Sequence, residues 1–329
     1  MTGAREARVL ALLSLHILIA LAADTTPARA EDACEMYKRL MPRVYEVRCA
    51  GGGGGKSRAG EAYSSFADSF NINPASLPTK PTPYGLEVIE SYPSESDRYP
   101  PAPTLALIKG FHKIGTAVST GGNTTFYGND VGQRVYGTTP DVDVRNPETP
   151  QGKAFNLNAG TSISLGGGGG AEPSLGVSLR YNHITSTIGW GTGLAVSMGK
   201  AALGFGVSRE TVSNRLPTMT FASAVVAYKL PIVEFEYTYL TCSSPFADPD
   251  TSVVSAAAPS LNPVHILTAT APLSRLILST AVRRTNYLLV GDVWQFHAAA
   301  QVQIFSHLAV GYLINYIPGT HSIAAQIFL

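Results

Sequence analysis

Trp294-Gln295-Phe296-His297-Ala298-Ala299-Ala300-Gln301-Val302-Gln303-Ile304 changes character at every step. Trp294, Phe296, Ala298, Ala300, Val302 and Ile304 alternate with Gln295, His297, Ala299, Gln301 and Gln303. Successive side chains of a strand point to opposite faces, so this stretch reads as a strand with one apolar and one polar or small face. The next run repeats the pattern, with Leu308, Val310, Tyr312, Ile314 and Tyr316 set against Ala309, Gly311, Leu313 and Asn315. From Leu261 onward formal charge is confined to Arg275, Arg283, Arg284 and Asp292. A soluble sandwich also alternates, but it covers its wet face with Lys, Glu and Asp. An apolar face backed by small, uncharged residues, with aromatics near strand ends, fits a transmembrane β-barrel: apolar toward lipid, polar toward the lumen.

Composition points the same way. The chain has 329 residues, of which only 14% are charged, against roughly 25% in average soluble domains. Little charge is left to cover a wet exterior. A net charge of +1 excludes an electrostatic nucleic-acid binder. At the N-terminus, Arg5 and Arg8 precede an apolar run from Val9 to Ala23 and an Ala28-Arg29-Ala30 cleavage site. Leu10–Ala23 is short for a spanning helix, which needs ~20 apolar residues. Residues 1–30 are therefore expected to be a cleaved signal peptide. Glu31-Asp32-Ala33 before Cys34 supplies no apolar lipobox residue.

Residues 31–82 are charged and rich in Gly and Pro, and Tyr63, Phe66 and Phe70 form one stripe at helical spacing. A disordered leader and a soluble plug both fit the composition; the stripe favours packing against another surface. Strand signals fill residues 83–329. Thirteen runs are read there, one of them Thr104–Thr120. Bacterial barrels prefer an even strand number. A further strand between Thr124 and Tyr136 would give fourteen, and a merger of two runs, or one run lying in a loop, would give twelve. The expected architecture is thus all-β, a closed antiparallel transmembrane barrel of twelve to fourteen strands with a short N-terminal helical plug. Met198-Gly199-Lys200-Ala201, Leu230-Pro231 and Pro272 read as tight turns on the periplasmic side, and Gly137–Gly152 and Phe246–Pro263 as long extracellular loops.

Few motifs suggest chemistry. Ala50-Gly51-Gly52-Gly53-Gly54-Gly55-Lys56-Ser57 nearly spells a phosphate-binding loop. Such a loop needs a buried strand before it and a helix after it, and Val44–Cys49 carries Glu46 and Arg48, so the run reads as a flexible linker. The histidines show no close metal-ligand spacing, and no metal or cofactor is expected. Ser306-His307 and His321-Ser322 are sequence neighbours, which on a strand point to opposite faces, so no catalytic pair is expected. More informative are the inward faces. Ser178, Arg180 and Asn182 alternate with Leu175, Val177, Leu179 and Tyr181, and Glu234, Glu236 and Thr238 alternate with Val233, Phe235, Tyr237 and Tyr239. Arg275, and one of Arg283 and Arg284, should also avoid lipid, because a mid-bilayer Arg costs ~2–4 kcal/mol. Expected lumen-lining residues are Arg180, Asn182, Glu234, Glu236, Arg275, Gln295, His297, Gln301 and Gln303. They could contact solute or merely brace the barrel and its plug.

Ser69-Phe70-Asn71-Ile72-Asn73-Pro74-Ala75-Ser76-Leu77 precedes the first strand signal. A plug-like segment ending in Asn-Pro-Ala-Gly-Leu, followed by a barrel, resembles the FadL-type outer-membrane transporters of hydrophobic compounds, a family with related secretion-system barrels. Asn73, Pro74, Ala75 and Leu77 match that motif, while Ser76 stands in place of its glycine. The final strand ends in Leu329 rather than the usual aromatic, with Phe328 beside it and Ile327, Ala325 and Ile323 alternating behind. The resemblance implies a fourteen-stranded barrel whose N-terminal segment sits inside as a hatch, here Asn73, Pro74, Ala75, Ser76 and Leu77. It implies passive outer-membrane transport of hydrophobic or amphipathic small molecules, with membrane lipid, lipopolysaccharide and an apolar solute as partners and no nucleic acid. The alternatives are a structural or docking barrel and a lipid-acting barrel enzyme.

Cys34 and Cys49 lie close together in an expectedly exported chain, where disulfides persist. Closing that loop would stabilise by ~3 kcal/mol in the chain-entropy model. Cys242 is then the odd thiol. A maleimide applied without reductant should modify Cys242 alone; modification of all three cysteines would exclude the disulfide.

Overall fold

The computed structural model describes Phe66 and residues 73–93, 104–121, 156–166, 171–182, 186–210, 219–230, 232–243, 264–273, 276–287, 291–315 and 320–329. Residues 1–30, Cys34, Cys49, the 50–57 glycine run, Tyr63, Phe70 and Arg275 lie outside the described residues. Fourteen strands follow one another: β1 (Gly85–Pro93), β2 (Thr104–Gly110), β3 (Ile114–Gly121), β4 (Asn156–Ser164), β5 (Ala171–Asn182), β6 (Thr187–Met198), β7 (Ala201–Glu210), β8 (Met219–Lys229), β9 (Glu234–Ser243), β10 (Val264–Leu273), β11 (Leu276–Tyr287), β12 (Gly291–Phe305), β13 (Leu308–Asn315) and β14 (Thr320–Phe328). Each strand pairs antiparallel with its sequence neighbours, and β1 pairs with β14 from Gly85↔Phe328 to Pro93↔Thr320. The barrel is closed. Closure gives every strand a partner on both sides, the condition for placing strands in hydrocarbon, where no water can satisfy a free edge.

The alternation seen in sequence sorts the two faces. Along β5, Leu175, Val177 and Leu179 are exposed while Ser174 and Gly176 are buried. Along β12, Val302 and Ile304 are exposed while Gln301 and Gln303 are buried. On these strands apolar side chains stand outside and polar or small ones inside; elsewhere the inward face also buries large apolar residues such as Ile89, Phe221, Ile266 and Leu313.

The fourteenth strand does not come from Thr124–Tyr136, which lies outside the described residues. β3 pairs directly with β4, Ile114↔Ile163 through Gly121↔Asn156, leaving no place for a strand between them. Instead the run Thr104–Thr120 folds back on itself as the β2–β3 hairpin, closed by a hydrogen bond from the Phe111 amide to the Ile114 carbonyl at 2.7 Å. Lys113 takes a left-handed φ of 67° to make that turn. Gly or Asn usually marks such a position, and its absence hid the hairpin.

Nearest-neighbour topology gathers the connections at two ends. The end carrying Leu329 holds 111–113, 165–170, 199–200, 230–233, 274–275 and 306–307; the other holds 94–103, 122–155, 211–218 and 244–263 among its links. Pro272 is not the turn expected of it: it pairs with Ile277 within β10, and the chain reverses after Leu273. Likewise Val233 precedes β9 and packs with Ala269 and Ala271. Gly199, at φ 58°, makes the β6–β7 turn. Gly199→Val should lower barrel stability by about 1–2 kcal/mol, the cost of a left-handed β-branched residue. Urea unfolding of vesicle-inserted protein would read that loss.

Candidate functional site

The site is the inner wall beneath residues 73–84. Asn73 has extended backbone, φ −140° and ψ 97°, as the residue before a proline prefers. It caps a single 3₁₀ turn, Pro74–Ser76. Its side-chain oxygen accepts from the Ala75 amide at 3.0 Å, and its backbone carbonyl accepts from the Ser76 amide at 2.9 Å. Pro74 at the first position suits a turn that needs no donor there. The local shape is therefore a capped turn and not an extended strand.

This turn lies on the inward faces of β4, β5, β6 and β7. The Asn73 amide nitrogen donates to the Leu194 carbonyl at 3.2 Å, Ser174 Oγ to the Ala75 carbonyl at 2.9 Å, and Ser162 Oγ to the Leu77 carbonyl at 3.1 Å. Asn73, Ala75 and Leu77 are fully buried. The approach is possible because the wall has no side chains where the turn sits. A Cβ on Gly176 would overlap Pro74 and the Ala75 amide, and one on Gly193 would overlap Asn73 Oδ1. Glycine inside a strand marks such a close backbone approach. The chain then runs obliquely toward the short-turn rim. A Cβ on Gly115 would meet the Pro78 carbonyl at 2.5 Å, and Gly110 donates to Thr82 Oγ1 at 2.8 Å. Lys80 pairs with Glu172 at 2.9 Å at the exposed rim, and Lys109 Nζ donates to the Thr82 carbonyl at 2.6 Å while standing 4.3 Å from the Tyr84 ring.

The opposite wall sets a polar chain beside a buried apolar cluster of Ile89, Ala299, Leu313 and Ala324. Glu87 is fully buried on β1 and accepts from the Phe66 amide at 2.8 Å and from Gln326 Nε2 at 2.7 Å. Gln326 Oε1 accepts in turn from Gln301 Nε2 at 2.7 Å. Gln301 on β12 reaches Gln326 on β14 across β13, whose lumen-facing residues there are Ala309 and Gly311. Two small residues let one strand be bridged. The Phe66 ring packs edge-on against Phe328, centroids 6.3 Å apart, so this part of the N-terminal segment has an apolar contact and a polar one.

Of the residues singled out in sequence, Glu234, Glu236, His297, Gln301 and Gln303 are buried on the inward face. Arg180 is partly buried there, its Nε donating to Asn158 Oδ1 at 3.0 Å. Asn182 and Gln295 occupy strand positions opposite Asn156 and Arg283, but their side chains lie outside the described ones. Arg283 faces inward and is buried, while Arg284 faces outward beside Trp294. Ser306 and His307 are exposed in the β12–β13 turn. The reading missed Glu87, Gln326, Ser162, Ser174 and the glycines. Glu87 and Gln326 were legible as polar steps in Gly85–Ile89 and Ala324–Phe328; the glycines were legible as breaks in strand propensity.

No family model matches this chain, and no curated protein matches it. Solved structures similar to it include the outer membrane protein Omp33 of Acinetobacter baumannii, 7% identical over 75% of this chain and 98% of that one, TM-score 0.46. The CymD monoaromatic hydrocarbon channel is 11% identical over 86% and 99%, TM-score 0.42, and the KdgM porin 6% identical over 74% and 99%, TM-score 0.37. These likenesses concern the barrel and say nothing of a solute.

The glycine wall gives a direct test. In a Cys242→Ala background, Ser76→Cys, a nearly isosteric change at a buried position, should react slowly with a small maleimide in the folded barrel. Adding Gly193→Val or Gly176→Val should speed that reaction at least roughly tenfold, which corresponds to about 1.4 kcal/mol of lost seating energy.

Proposed function

We propose that this protein is a bacterial outer-membrane barrel that lets small hydrophobic or amphipathic molecules pass down their gradient, with residues 31–82 as its hatch. The observation that carries the reading is the turn Asn73–Leu77 seated inside the barrel on Gly176, Gly193, Ser162 and Ser174. A segment whose carbonyls are held by wall hydroxyls, rather than by the continuous ladder of a strand, can leave by exchanging a few hydrogen bonds with water. The outward apolar face supports a membrane location, and the Asn73-Pro74-Ala75 motif supports the resemblance to FadL-type transporters, from which the apolar class of solute is taken. The mechanism needs no cofactor and no energy input: solute binds in the lumen, the segment moves, solute passes.

A second reading is a docking barrel without transport. It draws on the inward faces, where Glu87, Thr270 and Gln326 are almost wholly inaccessible, so that the described lumen is packed rather than open. Planar-bilayer recording separates the two. Deleting residues 31–82, or introducing Gly176→Val, should raise single-channel conductance over the intact chain. Unchanged conductance in both variants, with a barrel that still shows heat-modifiable migration, would make the segment a tether and favour docking.

A further inference from the structure

The register of β9 to β12 places Tyr239, His265, Arg284 and Trp294 in one lateral row, as Tyr239↔His265, His265↔Arg284 and Arg284↔Trp294. All stand on the outward face, opposite in parity to buried Thr238, Ile266 and Arg283. Arg284 lies over the Trp294 ring, 5.9 Å from its centroid, and the His265 ring lies 5.5 Å from that of Tyr239. Tyr237 reaches His265 Nδ1 with its hydroxyl at 2.7 Å. The next row toward the short-turn rim is Tyr237↔Leu267↔Val282↔Phe296, which is apolar apart from that hydroxyl.

Position decides what such a pair of rows can bind. From Leu276 to Arg284 is eight residues of β11, or about 20 Å of wall at ~3.3 Å per residue and ~40° of tilt. That sets the Tyr-His-Arg-Trp row at the far edge of an apolar band ~25 Å tall, at the headgroup level on the long-loop side. A cation over an indole, with hydroxyl and imidazole groups beside it, suits an anionic oxygen group. The apolar row beneath suits acyl chains.

We infer that this outward patch is a binding site for the phosphate-bearing headgroup of a membrane glycolipid, with Arg284 as its charged contact and Leu267, Val282 and Phe296 under its acyl chains. A lipid, rather than free phosphate, is the occupant because the charged row and the apolar row are contiguous on a wall that faces hydrocarbon. The inference rests on the membrane-barrel reading but not on transport.

The test is native mass spectrometry of the full-length barrel released from phosphatidylcholine vesicles doped with diphosphoryl lipid A. The intact protein should retain lipid A over phosphatidylcholine, and excess inorganic phosphate should not displace it. Arg284→Gln should lower retention roughly tenfold, as loss of one charge-assisted contact implies. Lys113→Gln, which removes equal charge at the opposite rim, should leave it unchanged. Equal retention by Arg284→Gln and the intact chain, equal loss in both variants, or displacement by inorganic phosphate would overturn the site while leaving an inserted barrel. A chain that does not insert into the vesicles at all would overturn the membrane reading and the site with it.

Discussion

Two absent side chains set the interior of this barrel. Gly176 and Gly193 sit on neighbouring strands and face each other in register, so their missing Cβ atoms form a single shallow seat. There the backbone of the turn touches the barrel wall directly, as the following residues do at Gly115 and Gly110. Once Asn73–Ala75 occupies the seat, its polar groups are cut off from water and each needs a partner, because a buried amide or carbonyl without one is costly. The wall supplies them through Ser174, Ser162 and the Leu194 carbonyl. Steric vacancy and hydroxyl placement are thus one arrangement: larger residues would exclude the turn, and alanines in place of the serines would admit it but leave its carbonyls unsatisfied.

The remaining circumference answers differently. Around β9 to β12 the inward positions carry Glu234, Glu236, Arg283, His297, Gln301 and Gln303, all buried. The N-terminal segment touches two sides of the lumen: the capped turn lies on the glycine seat, and Phe66 on Glu87 and Phe328. Thr82 and Lys80 bond Gly110, Lys109 and Glu172 at the rim, and four hydrogen bonds join the turn and Phe66 to the wall, from Asn73, Ser162, Ser174 and Phe66. At roughly 0.5–1.5 kcal/mol net each they amount to about 2–6 kcal/mol.

Period-two alternation made the barrel legible, because a one-residue slip in any strand would turn its apolar set inward. It worked best in β12 and β13, where small or uncharged polar residues mostly alternate with larger apolar ones. It failed where turn chemistry was unmarked: His112-Lys113 looks like the middle of a strand, and only the left-handed Lys113 shows otherwise. Nor could adjacent Arg283 and Arg284 be assigned to faces without register; the pairing of Arg283 with Ile266 and Gln295 settles it. Asn73-Pro74 was legible as a restricted, extended step, since proline restricts both itself and its predecessor, but the 3₁₀ turn after it was not. Its seat was not, because Gly176 and Gly193 are far from residue 73 in sequence and become neighbours only when β5 and β6 pair.

Cations on aromatic faces mark both rims of the wall. On the short-turn side Lys109 stands 4.3 Å from the Tyr84 ring and 5.9 Å from that of Phe111; on the long-loop side Arg284 stands over Trp294. Such pairs are amphipathic: the ring tolerates the acyl boundary while the charge stays at the level of water and headgroups. Between them the outward residues of β11 are Leu276, Leu278, Thr280 and Val282, without a formal charge. A vertical shift that carried Arg284 toward the bilayer midplane would cost ~2–4 kcal/mol, whereas near the interface the same residue costs ~0–1 kcal/mol. The rims therefore fix the depth of the barrel in the bilayer, and with it the depth of the glycine seat, which lies at the middle of β5 and β6.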